Sequence, residues 1–149
     1  MIEALCRWIP PFSFALLGFP LSLQDQSERS VSAVLLAVAY ALWLASALVA
    51  GQGVERLLAP VFVLLIGRLV LFVLPDRLGE ADVIFMSGMA SIFPFWQLML
   101  ALALGCVAGL AAFAWGSRGG RSDYLFCSVP FLPSLYWGGL TVILGGFRL

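Results

Sequence analysis

Between Asp82 and Arg118 the chain runs for 35 residues without a charged side chain, and shorter intervals of the same kind cover most of the remainder. An ionised group in hydrocarbon costs several kcal/mol unless it is paired, hydrated or neutralised, and a helix needs roughly 20 apolar residues to cross a bilayer. Charge-free intervals are therefore the natural units in which to read this sequence. Residues 8–24 form the first, with Pro10, Pro11 and Pro20 as interruptions; 30–54 form the second; 57–74 form the third, broken only by Arg68. The interval 83–117 is too long for one crossing, and "IFPFWQ" within it has the proline and flanking aromatics of an interfacial turn. It divides into helices over about 83–93 and 97–115, and a last span covers about 124–147. The expectation is an all-α integral membrane protein, a polytopic bundle of six transmembrane helices. A single kinked helix over 83–117 would make five.

The mean hydropathy of +1.06 extends over the whole chain, so neither a cleaved leader nor a soluble domain is expected, and residues 1–149 read as one transmembrane domain. Eight Arg are scattered, Lys and His are absent, and formal net charge is zero, which excludes a basic nucleic-acid surface. Cys6, Cys106 and Cys127 are isolated and read as reduced packing residues, with no metal or other cofactor implied.

"RLGEADVIFMSG", residues 77–88, sets Glu80 and Asp82 at the mouth of the longest apolar run. Two crossings separate Asp25 from Asp82, so both return to one membrane face. That face also carries Arg29, Arg77, Arg118 and Arg121, against Arg7, Arg56 and Arg148 on the other, a small bias toward a cytosolic position for the acids. Loop-edge acids often do no more than mark where a chain leaves lipid. Two carboxylates that meet, however, share a proton, so that one can activate water while its protonated partner polarises a carbonyl. Gly79 and Ala81 leave room for an extended peptide beside Asp82.

Three stretches together resemble type IV prepilin and preflagellin peptidases. "GEADVIFMSGMASIFPF" is similar to their G-x-G-D segment; "DQSERSV", from Asp25, is similar to their D-x-x-x-R-x-I-P-N segment; "VPFLPSLYWGG" is similar to the [IV]-P-F-x-P segment that opens their last core helix. Order and spacing agree over about residues 12–145. The resemblance implies an aspartic endopeptidase, without cofactor, whose catalytic pair is Asp25 and Asp82. It implies removal of a short basic leader from pilin-like precursors at the cytosolic face of the cell membrane, ahead of the precursor's hydrophobic helix. Candidate substrate contacts are Gly79, Glu80 and Ala81 beside one acid, Glu28 and Arg29 beside the other, with Pro130 and Pro133 shaping the last helix and leaving carbonyls free near the site. Ala81 stands where a second Gly is common, Ile84 where Lys is frequent, and Ser32 and Ala33 where Pro and Asn are usual. A methylating region with paired cysteines is absent, so cleavage without methylation is expected.

The proposed face carries Asp25, Glu28, Asp76, Glu80, Asp82 and Asp123 against four Arg, a surplus that attracts a basic leader. Arg68 either snorkels or pairs with an acid near the site. Ser87, Gly88, Ala90 and Ser91 give one helix a thin face, suited to helix packing and also to a substrate groove. Trp8, Trp96, Trp115, Tyr124 and Trp137 fit an interfacial belt. Presenilin-like proteases share the G-x-G-D idea but should show Y-D and P-A-L segments, and neither occurs. A noncatalytic membrane scaffold or assembly subunit on the same fold is the alternative.

Overall fold

A computed structural model describes the backbone of residues 2–28, 30–51, 55–73, 79–118 and 131–145. Six helices are found there and no strand: α1 Ile2–Glu28, α2 Ala33–Val49, α3 Glu55–Val73, α4 Glu80–Ile92, α5 Phe95–Arg118 and α6 Phe131–Leu144.

The ends of these helices follow local chemistry. Ser32 caps α2, its Oγ accepting the Leu35 N–H at 3.5 Å, and Gly51 ends the helix at φ +67, a conformation open to glycine. The uncharged interval 83–117 breaks at Phe93 and Pro94. Phe93 is extended (φ −96, ψ 136), as the residue before a proline prefers, and α5 begins directly afterwards. The interval is therefore two helices.

Pro10, Pro11 and Pro20 lie inside α1 and do not interrupt it as the sequence suggests; side chains bond other carbonyls of the same stretch. Ser13 Oγ donates to Pro10 O at 2.8 Å, Trp43 Nε1 to Ser13 O at 3.2 Å, and Tyr136 Oη to Ala15 O at 2.9 Å. Trp43 of α2 and Tyr136 of α6 thus fasten α1 by its backbone between the prolines, although the carbonyls that Pro10, Pro11 and Pro20 leave without an N–H are those of residues 6, 7 and 16.

Helix α4 lies at the centre and packs against all five others, while α5 packs chiefly on α6 and α3 chiefly on α4. Every residue from Ser87 to Phe93 is buried. Phe14 of α1 anchors the core, with ring centroids 5.3–5.9 Å from Trp43, Phe85, Phe93 and Tyr136, so that α1, α2, α4 and α6 share one aromatic cluster. Small residues let helices close in: Gly138 lies on the backbone of Ala101, and Gly105 on that of Ser134.

The outer surface is apolar, including Leu65, Leu69 and Phe72 on α3 and Val107, Leu110 and Trp115 on α5. Among the described residues one helix, over Phe95–Trp115, is long and apolar enough to cross a membrane; Ala33–Val49, Leu57–Val73 and Phe131–Leu144 are apolar but shorter. With 13 residues α4 is about 20 Å long, below the roughly 30 Å of hydrocarbon that the sequence-based spans assume. Contacts with all five other helices bury most of this short segment.

Candidate active site

Asp82 is the third residue of α4. Its Oδ2 accepts the N–H of Gly79, the residue capping that helix, at 3.2 Å, and an acid in the first turn also meets the positive end of the helix dipole. Capping alone would keep its pKa low. Instead burial pushes the carboxyl from its ordinary 3.8 up to about 6, against the Gly79 hydrogen bond and with help from the negative charge of Asp25.

Asp25 occupies the last turn of α1, the end of a helix where a negative charge is disfavoured. No cap function accounts for it. Burial raises its pKa, and the Leu132 N–H, in the first turn of α6, hydrogen bonds the carboxylate and works in the opposite direction. Its Oδ2 is buried and has no hydrogen-bond partner. An orphaned buried carboxylate oxygen is costly, and a proton shared with a second carboxyl relieves that cost. Both acids lie outside the apolar spans read from the sequence, at adjoining helix ends, and they are close enough for Asp25 to shift Asp82.

The flanking candidates divide. Gly79 is exposed, and a Cβ on it would stand 3.1 Å from Asp82 Oδ2, so glycine here keeps the carboxylate uncrowded. Ala81 is half-buried against the core, which leaves it a packing role. Glu80 pairs with Arg68, Nη1 to Oε1 at 2.7 Å; of the two readings of Arg68, pairing is the one found. Adding Arg68 to this face reduces its acidic surplus from two to one. Glu28 is exposed and accepts Gln24 Nε2 at 3.1 Å. Pro133 lies in the first turn of α6, where its missing N–H costs nothing, and α6 offers the site the N–H of Leu132; the carbonyls expected to be left free, at residues 126 and 129, lie outside the described residues. Arg29, Pro130, Asp76, Asp123, Arg77, Arg121, Tyr124 and Cys127 lie outside the described residues.

The thin face of α4 is occupied. The Trp43 ring covers Gly88, and Ser87 bonds to Tyr40 Oη at 3.1 Å and to Pro60 O at 2.7 Å, so no peptide groove exists on this face. Cys106 is free but exposed on α5, contrary to the packing role read from sequence. Gln24 escaped notice in the sequence: its Oε1 accepts the Ser32 N–H at 3.1 Å while its Nε2 holds Glu28, tying the end of α1 beside Asp25 to the start of α2. Its polarity just before Asp25, at the end of an apolar run, was the available signal.

No family model, no curated protein and no solved structure matches this chain.

Proposed function

We propose that this protein is a membrane-embedded aspartic endopeptidase that removes basic leaders from pilin-like precursors, with Asp25 and Asp82 sharing the catalytic proton. The observation that supports the reading is that the two acids stand at helix ends near enough to interact, one with a buried unpartnered oxygen and the other pushed up to about 6 chiefly by burial, with its neighbour's charge adding to the rise. Both features favour a pair that holds a single proton at mildly acidic to neutral pH.

In the hydrolysis, Asp25 is the base. The Leu132 N–H favours its ionised form, and it takes a proton from the attacking water as the water oxygen bonds to the scissile carbonyl carbon. Asp82 gives its proton to the carbonyl oxygen. Collapse of the tetrahedral intermediate breaks the C–N bond, the amine leaves with the proton held by Asp25, and Asp82 recovers its own.

Multi-pass insertion is part of the proposal. It is supported by the apolar outer surface, by the Phe95–Trp115 helix and by the three shorter apolar helices. The Arg bias favours a cytosolic position for the acids, where a pilin-like leader is presented with its hydrophobic helix still in the bilayer.

The deciding experiment mixes detergent-purified protein with a leader-bearing pilin precursor and compares wild type, Asp25→Asn and Asp82→Asn. Cleavage by wild type alone supports the dyad. Cleavage persisting in both variants rejects it, and absence of cleavage of any candidate precursor by wild type moves the assignment to a noncatalytic scaffold.

A further inference from the structure

Gly67 and Arg68 sit where α3 comes closest to the first turn of α4. Gly67 faces Val83, and any Cβ added to it would collide with the Val83 side chain, so the α3 backbone lies directly on the residue that follows Asp82. The next residue along, Arg68, reaches Glu80, two positions before Asp82. Two adjacent residues of α3 therefore seat the turn 80–83, one by close approach and one by charge. Their effect on Asp82 is one of placement, because the ion-pair side chains are 56% and 70% exposed, where charge is screened by solvent.

We infer that Gly67 and Arg68 are positioning residues for the Asp82 carboxyl, seating the first turn of α4 where Asp82 meets Asp25. The charged group from another helix that acts on Asp82 is Asp25 of α1, while Arg68 of α3 meets Glu80 in the same turn as Asp82; burial, Gly79 and Asp25 set its proton affinity. A displaced turn changes the separation of the two acids, and displacements of about 1 Å in a catalytic constellation cost about a hundredfold in rate. The kinetic half of the test rests on the peptidase reading above. The titration half does not.

The experiment uses the full chain in detergent: wild type, Arg68→Gln, Glu80→Gln, the swap Arg68→Glu/Glu80→Arg, Gly67→Ala, and Gly67→Ala/Val83→Ala. Cleavage of a leader-bearing precursor gives kcat and KM, and ¹³C NMR of labelled aspartate carboxyls, of which the chain has four, follows Asp82 directly. Arg68→Gln and Glu80→Gln lower kcat about fivefold with KM unchanged, the scale of one surface ion pair, and the swap restores it. Gly67→Ala lowers kcat about a hundredfold and moves the Asp82 titration midpoint, and trimming Val83 to Ala restores both. Wild-type kcat and an unmoved midpoint in every variant overturn the inference, as do losses that neither the swap nor the trimmed double variant repairs. If wild type cleaves nothing, the peptidase reading fails alone, and the carboxyl titration of Gly67→Ala and its Val83→Ala partner still decides the positioning role.

Discussion

Asp25, in the last turn of α1, raises the proton affinity of Asp82, in the first turn of α4, across a junction where two helix ends of opposite polarity adjoin. Asp82 is held by its own helix cap, whereas Asp25 receives its hydrogen bond from a third helix, through Leu132. The two acids therefore have different surroundings, which is what the proposed division into one base and one acid requires.

Stability follows from the same relationship. The folded-state pKa of Asp82, about 6, lies above its ordinary 3.8, so between these values the folded chain binds more protons than the unfolded chain. Stability is highest below about pH 4 as far as this group is concerned, and falls as pH rises through 6, by up to about 3 kcal/mol. Asp82→Asn removes the charge and its burial cost. Its melting temperature in detergent at pH 7.5 is expected to exceed that of wild type, with the difference vanishing near pH 4; an unchanged or lower melting temperature at pH 7.5 contradicts the burial argument.

Cleavage should depend on the two acids as a unit. Asp25→Asn and Asp82→Asn each reduce kcat by about 10³-fold or more, and the double variant is no worse than either, because groups acting in one step are not additive. Single-turnover cleavage of a leader-bearing precursor measures this.

Gly79→Ala is a finer probe. Its φ of −83 is open to any residue, so the helix cap survives, but the new Cβ stands 3.1 Å from Asp82 Oδ2 and pushes the carboxylate aside. About a tenfold fall in kcat with an unchanged melting temperature is expected. Equal loss of stability would mean that glycine serves the fold alone.

Core variants should fail by folding. Phe14→Ala empties the centre of the five-ring cluster at a cost of about 3–5 kcal/mol, and Gly88→Val forces Trp43 from its seat. Both are expected to lower the melting temperature sharply with either catalytic acid present or absent, read by thermal unfolding in detergent.

Much of the helical order was legible because charge-free intervals report where a chain can be buried in an apolar medium, and because Pro94 between aromatics marks a break that no neighbour repairs. The prolines of α1 misled, since the side chains that fasten the helix around them, Trp43 and Tyr136, come from distant helices and leave no local trace. Parity of the spans was enough to expect Asp25 and Asp82 on one side. The Leu132 N–H could not be foreseen, because every residue but proline carries one. Gly67 was open to notice as an isolated glycine within an apolar helix, a placement that usually has a packing reason. What it packs on is a matter of tertiary contact.

The short central helix has a consequence for biogenesis. At 13 residues and touching all five other helices, α4 presents little apolar length of its own to a translocation machinery, while α5 beside it is the one described helix long and apolar enough to cross a membrane. If the bundle spans a bilayer as proposed, α4 would take its place only once its neighbours have gathered to receive it. On that reading the carboxyl at its head would be delivered late, after the end of α1 that bears Asp25.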